Sequence, residues 1–253
     1  MHDMDRRQLI RLVIPSALVI IISIFTMKFS PSETLVPLPS PVSNSSSLSN
    51  SKGVEVVARG LQAPRAIDIA DDGRIFFTEK HGSIRLIENR TLLSVPVGDI
   101  KVENLGDAGL LGIALHPDFT KNHLFYVYYT YSNGMGLFNK VLMLQESKNR
   151  IIDSRTILDG IPGSEFRDGG RIKFGPDRML YISTGDASIP ELSQDLNSLA
   201  GKILRVNGDG TVPKDNPFSN SPVYAYGFRN VQGLAWDPES RELYASESIS
   251  INR

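Results

Sequence analysis

Short apolar runs alternate with turns along most of the chain after residue 53. Such runs, bounded by Gly, Pro, Asp or Asn, are typical of half-buried β-strands. The strongest is Phe125–Tyr131, which is aromatic or β-branched almost throughout. Phe166–Asp186 holds two runs, Arg171–Gly175 and Met179–Thr184, joined by a Pro-Asp-Arg turn, and this pattern predicts a hairpin. The other predicted strands are Val54–Ala58, Ala66–Ala70, Ile75–Glu79, Ile84–Glu88, Lys140–Gln145, Thr156–Leu158, Lys202–Val206 and Val223–Gly227.

One pattern recurs four times: a strand, an acidic turn, and a second strand that opens on an apolar–aromatic pair. The aromatic positions Phe76, Phe125, Tyr181 and Tyr244 mark the copies, at spacings of 49, 56 and 63 residues. These spacings lie within or slightly above the roughly 40–50 residues of a four-stranded propeller blade. The repeat therefore predicts an all-β fold, a β-propeller of which this chain supplies about four blades.

Residues 1–29 carry a different pattern. Three arginines precede the largely apolar segment Leu12–Met27, which predicts a hydrophobic helix that acts as an export signal or a signal anchor. No Ala-x-Ala cleavage site follows, and this favours an anchor, with the rest of the chain outside the cytoplasmic membrane or secreted if cleavage occurs. Residues 30–52, rich in Ser, Pro and Asn, are predicted to be a disordered tether. The folded domain is expected at 53–253.

Charge and composition exclude several classes of function. Lys and Arg number 27 against 28 Asp and Glu, so no basic face for nucleic acid is predicted. The chain has no cysteine, which excludes disulfides, thiolate metal sites and cysteine nucleophiles. The run 207–210 is similar to part of a calcium-binding loop, but Arg205 occupies the position of its first acidic ligand.

Several sequence blocks follow one another in the folded domain. They are Gly109–Phe119, Gly169–Asp177, Gly201–Arg205 with Asp215–Phe218, and Tyr226–Ala235. In this order and spacing they resemble the soluble PQQ-dependent sugar dehydrogenases, the glucose/sorbosone dehydrogenase family of six-bladed propellers. The resemblance implies about four blades of a six-bladed ring. The chain is thus expected to be truncated at its C-terminus or completed by another chain, since an open array exposes strand edges.

The resemblance also implies a chemistry, the oxidation of a sugar C1 hydroxyl with PQQ and Ca²⁺ as cofactors. By position, the implied cofactor-binding residues are Arg229, Asn230, Gln232 and Asp107, the last standing where the family has glutamine. The backbone carbonyls of Ile249 and Ser250 are the implied calcium ligands. A small sugar or glycan is the expected partner, together with the membrane through the N-terminal helix.

The implied catalytic residues are Arg229, beside the quinone, and Arg167, which occupies the position of the family's general-base histidine. Arginine stays protonated in proteins, so Arg167 cannot act as a base. Asp168 is adjacent, but on an extended strand it would point to the opposite face unless the turn redirects it. Three possibilities stay open at this point: an aldose dehydrogenase, a non-catalytic propeller that binds a glycan or protein, and an inactive fragment.

Overall fold

The structure, a computed structural model, describes residues 54–248. Over this part of the chain it is nearly all β, and its strands form antiparallel sheets in chain order. The first sheet contains β1 (Pro64–Ile69), β2 (Ile75–Glu79), β3 (Ser83–Glu88), β4 (Thr91–Leu92) and β5 (Gly98–Asp99). The second contains β6 (Leu110–Leu115), β7 (Leu124–Ser132), β8 (Leu137–Ser147) and β9 (Arg150–Pro162).

The third sheet contains β10 (Gly169–Phe174), β11 (Leu180–Thr184), β12 (Lys202–Val206) and β13 (Val223–Tyr226). The fourth is the hairpin β14 (Val231–Trp236) and β15 (Leu243–Glu247). Two short helices complete the described part: α1 (Phe119–Asn122) and a 3₁₀ helix at Pro190–Ser193. In the first sheet the two short strands β4 and β5 both pair with β3, so together they take the outermost position.

The four sheets are consecutive blades of a β-propeller. The innermost strands pack side by side in the order β1, β6, β10 and β14, each against the next. The predicted all-β propeller is therefore confirmed. Within residues 54–248 three blades are complete, and the fourth is represented by its first hairpin.

The repeat in the sequence is the hairpin between the first and second strands of each blade. Its marker residues Phe76, Phe125, Tyr181 and Tyr244 lie near the start of β2, β7, β11 and β15. In the hairpin predicted from 166–186, β10 and β11 pair with Phe174 opposite Leu180.

Apolar side chains fill the spaces between adjacent blades. Between the first and second blades Phe76 packs edge-on against Phe119, with ring centroids 5.2 Å apart. Between the second and third blades the fully buried Tyr128 and Ile182 belong to one cluster. Leu110–Leu115 is buried along its whole length, because an inner strand of a propeller is covered on both faces, and this explains its continuous apolar sequence.

One strand prediction is wrong. Residues 54–58 form no strand, and Val54 and Val56 expose 77% and 49% of their surface. Alternating apolar residues need a neighbouring strand to hydrogen-bond with, and within the described residues none pairs with this segment.

The predicted N-terminal helix at 1–29 and the tether at 30–52 lie outside the described residues, as do Ile249 and Ser250. Across residues 54–248 no helix has the length and apolar character needed to cross a membrane.

Candidate functional site

The innermost strands begin at a common end of the propeller. The guanidinium of Arg171, near the start of β10, donates to backbone carbonyls at the start of the other three inner strands. These are the carbonyls of Gln232 at 2.9 Å, Arg65 at 3.0 Å and Leu111 at 3.4 Å. We call this end the site end, because it carries the predicted functional residues.

A cavity of about 210 Å³ opens at the site end. Four of the residues predicted from the sequence line it: Asp107, Asp168, Asn230 and Gln232. Arg65, which the sequence did not single out, lines it as well. A larger cavity of about 770 Å³ lies between the third and fourth blades, but its lining includes none of the predicted site residues.

Asp168 lies in a buried polar network and is only 2% exposed. One carboxylate oxygen accepts hydrogen bonds from Asn139 Nδ2 at 3.0 Å and from the backbone N–H of Ser164 at 2.9 Å. The other is 3.5 Å from Thr130 Oγ1. Burial raises the pKa of Asp168, and the hydrogen bond from Asn139 partly opposes this rise.

The turn before β10 redirects both candidate catalytic residues. Arg167, Gly169 and Gly170 have positive φ angles of 66°, 65° and 91°, so the backbone that enters β10 departs from regular extended geometry. Strand alternation is therefore the wrong basis for predicting the direction of Asp168, which is buried and lines the cavity. Arg167 is not among the residues that line it.

Arg167 forms an ion pair that the sequence did not predict. Its Nη1 lies 3.3 Å from Oδ2 of Asp186, a residue that is 1% exposed. The backbone of Arg167 approaches Gly185 so closely that a Cβ at Gly185 would overlap the Arg167 carbonyl oxygen. The Gly-Asp pair directly after β11 is the sequence signal that could have identified this acid.

The predicted cofactor residues lie in two places. Asn230 Oδ1 accepts hydrogen bonds from the N–H of Gly169 at 3.0 Å and from Gln232 Nε2 at 2.9 Å, which joins β10 to β14. Arg229 lies beside this group rather than in the cavity lining, and its Nη1 donates to the carbonyl of Ser248 at 2.7 Å.

Asp107 is exposed at the cavity edge, and its backbone holds two loops together. Its N–H donates to the Glu165 carbonyl at 2.7 Å, and its own carbonyl accepts from Arg65 Nη2 at 3.3 Å. The turn before β6 is thereby fixed to the turn before β10.

Among residues 54–248 no group of three or more His, Asp or Glu side chains could hold a metal ion. The carbonyls implied as calcium ligands lie outside these residues. The calcium site therefore stays a prediction.

Comparison with known proteins gives consistent matches. The family model described as Glucose / Sorbosone dehydrogenase matches residues 61–248. Quinoprotein glucose dehydrogenase B of Acinetobacter calcoaceticus is 31% identical over 229 residues, which cover 76% of this chain and 48% of that protein. Aldose sugar dehydrogenase YliI of Escherichia coli is 30% identical over 208 residues, covering 77% of this chain and 56% of that protein.

A solved structure also aligns well, that of the PQQ-bound aldose sugar dehydrogenase from Streptomyces coelicolor. It is 39% identical with a TM-score of 0.71, and the alignment covers 77% of this chain and 59% of the other. This chain spans about half the length of the curated relatives it matches. The family model, the relatives and the propeller agree, and the chain belongs to the glucose/sorbosone dehydrogenase family.

Proposed function

We propose that the site-end cavity binds PQQ and a sugar, and that the chain acts as an aldose dehydrogenase on the sugar C1 hydroxyl. The observation that carries this proposal is the convergence of Asp107, Asp168, Asn230 and Gln232 on one cavity of a family member. Its relatives include a quinoprotein glucose dehydrogenase and a PQQ-bound aldose sugar dehydrogenase.

The donor set of the cavity fits a quinone that carries carboxylates. Arg65 and Asn230 line it with N–H donors, and Arg65 Nε is buried without a hydrogen-bond partner in the described residues. Carboxylate and quinone oxygens are acceptors that such donors bind. Bound PQQ supplies the two-electron acceptor for the hydride on C1.

Asp168 is the proposed general base. Burial raises its pKa, and a general base is most effective when its pKa approaches the working pH. In this step the C1 hydroxyl proton passes to the Asp168 carboxylate as C1 loses its hydride. Arg167 takes no proton, because a guanidinium stays charged and this one is paired with Asp186. Arg229, at the edge of the same group, is proposed to stabilise the negative charge that develops on the acceptor.

A second function, sugar or protein binding without catalysis, is favoured by one observation. The Arg167–Asp186 ion pair occupies the position of the family's general base. A site without any proton acceptor would bind PQQ or a sugar but would not oxidise it.

Reconstitution of the full chain with PQQ and Ca²⁺ tests the two functions. PQQ binding is measured by absorbance titration, and turnover by dye reduction with glucose and other aldoses. We expect binding and turnover, and Asp168→Asn should lower kcat by about 10²-fold or more while PQQ still binds. The matched control is Asp71→Asn, an exposed aspartate in the β1–β2 turn, which should change neither quantity.

The outcomes separate the alternatives. PQQ binding without dye reduction supports the non-catalytic function, and a gain of turnover in Arg167→His would then identify the missing base. Turnover that survives Asp168→Asn contradicts the role of Asp168. A chain that does not bind PQQ contradicts the proposed cofactor.

The location outside the cytoplasmic membrane belongs to the same proposal and is supported by the sequence of residues 1–29 alone. In cells that express the full chain, we expect it in the membrane fraction and cleaved by protease added from outside. Recovery in the cytosolic fraction would contradict this location.

A further inference from the structure

The arginines that are at least half-buried divide into two groups by their partners. Within residues 54–248, four of them bind a carboxylate of the chain: Arg74, Arg85, Arg167 and Arg205. The side chains of the other three donate only to backbone carbonyls: Arg65, Arg171 and Arg229. All three of the latter lie at the site end and form no ion pair with the described residues, although the carboxylates of Asp107 and Asp168 line the same cavity as Arg65.

Arg65 is the member of this group that lines the cavity. Its Nη2 donates to the Asp107 carbonyl at 3.3 Å, a long hydrogen bond, and its Nε is buried without an acceptor in the described part of the chain. A buried N–H of a charged group that lacks an acceptor is costly, so an occupant that supplies one is stabilised there.

Arg171 lies behind Arg65 and fixes its backbone. The Arg171 Nη1 donates to the Arg65 carbonyl at 3.0 Å. Burial lowers the pKa of Arg171, and the nearby charge of Arg65 lowers it further. Of these two cations, Arg65 is the one that lines the cavity, beside the carboxylates of Asp107 and Asp168.

We propose that Arg65 is an anion-binding residue of this cavity and that its guanidinium binds a carboxylate of the occupant. The inference rests on the proposed function, since the carboxylate comes either from PQQ or from an acidic sugar. Nε and an Nη of one guanidinium can bind both oxygens of a carboxylate, which a lysine at the same position cannot do.

The test compares Arg65→Gln and Arg65→Lys with wild type in the full chain. Affinities for PQQ, for glucuronate and for glucose are measured by calorimetric titration, and thermal unfolding checks that each variant is folded. The matched control is Arg90→Gln, an exposed arginine in the β3–β4 turn at the opposite end of the blades. It should leave all three affinities unchanged.

We expect Arg65→Gln to weaken carboxylate binding by about tenfold or more, with partial recovery in Arg65→Lys, because a charge-assisted bond is lost and then partly restored. A loss confined to PQQ identifies the cofactor as the source of the carboxylate. A loss of the preference for glucuronate over glucose identifies the sugar instead.

Failure of this inference is distinguishable from failure of the proposed function. If wild type does not bind PQQ but prefers glucuronate to glucose, and Arg65→Gln removes that preference, Arg65 is supported and the cofactor proposal is not. Unchanged affinities in Arg65→Gln overturn the role of Arg65. The absence of both PQQ and glucuronate binding in wild type overturns it as well.

Discussion

At the end of the blades where the first hairpin turns, the backbone of the turn finds hydrogen-bond partners within a few residues. The N–H of Arg74 donates to Asp72 Oδ1 at 3.0 Å, and the N–H of Met179 donates to Asp177 Oδ1 at 3.1 Å. Each acidic side chain thus closes its own turn. We call this end the turn end; in the second blade its turn also contains α1.

At the site end the partners lie far apart in the chain. The N–H of Gly169 donates to Asn230, 61 residues away, and Arg171 donates to the carbonyl of Arg65, 106 residues away. These hydrogen bonds join different blades. Side chains of the turn end also pair between blades, as Arg74 does with Glu146, but the backbone of each turn there is closed within its own hairpin.

The difference shows which end of the fold depends on contacts between blades to position its functional residues. A turn whose backbone is closed by its own acidic side chain does not need the neighbouring blade for this bond, so the same turn can recur in several blades. The site end is assembled from loops of several blades, and a change in one loop alters the position of groups in the others. Among residues 54–248, the at least half-buried arginines without a carboxylate partner all lie at this second end, where a ligand can compensate their charge.

Arginine substitutions at the two ends should have the most unequal effects. Arg171→Met removes three hydrogen bonds and leaves three strand carbonyls with fewer donors, and we expect a loss of about 3–4 kcal/mol in the free energy of unfolding. Arg178→Met, at the turn end, removes an exposed ion pair with Asp118 and should cost less than about 1 kcal/mol.

Urea denaturation of both variants measures this difference. Equal losses would show that the site end is no more cooperative than the turn end. Binding of PQQ by Arg171→Met at temperatures where it is folded would further report whether the cavity keeps its shape without the three bonds.

Glycine substitutions isolate the effect of close packing at the site end. Gly170 has φ +91°, and a Cβ there would lie 2.7 Å from Leu111 Cβ. Gly73, in a turn-end hairpin, has a similar φ of +86° with nothing within 4 Å of its Cβ. Both alanine variants incur the strain of a positive φ, about 1 kcal/mol. Only Gly170→Ala adds a steric clash, for a total of about 2–3 kcal/mol.

Thermal unfolding of the two glycine variants gives the comparison directly. If Gly170→Ala and Gly73→Ala lower the midpoint by the same amount, the inner strands have room to separate. The site end would then be less tightly packed than its contacts indicate.

The turn end could be predicted from the sequence because its information is local. The four acidic turns and their aromatic markers identified the blade hairpins, and the bounds of Ile75–Glu79 and Lys202–Val206 agree with β2 and β12. Each of these segments carries its own alternation and its own turn residues, so no distant partner is needed to recognise it.

The site end could be predicted only in part. Matching blocks identified Asn230, Gln232 and Asp107, but nothing local distinguishes Arg65 from any other arginine at the start of a strand. The direction of Asp168 depends on the positive φ angles of Arg167, Gly169 and Gly170 around it, which alternation does not describe. The strand prediction at 54–58 is wrong for the same reason, because a strand forms only where a neighbouring strand pairs with it.

A buried lysine at the site end shows how burial there acts on a positive charge. Lys202 begins β12 at the site end, is 0% exposed, and donates from Nζ to the carbonyls of Leu192, Ser193 and Ala200 at 2.8, 3.0 and 2.6 Å. Burial lowers the pKa of Lys202 to about 8, against an ordinary value of 10.5 in the unfolded chain. Below pH 8 the buried ammonium is charged at its full cost to stability. Between pH 8 and 10.5 the folded protein has released this proton while the unfolded chain still holds it.

Because the unfolded state binds more protons in this window, the contribution of Lys202 to stability should rise from pH 8 to 10.5. The measurement is the difference in free energy of unfolding between wild type and Lys202→Met at several pH values across the window. Lys121→Met, at an exposed lysine next to the turn end of the second blade, is the matched control for the exchange of a lysine for methionine. We expect this effect to be smaller than those of the arginine and glycine variants. A flat profile for Lys202→Met would mean that the three carbonyls hold the ammonium charged throughout, so that burial at the site end does not disfavour a cation.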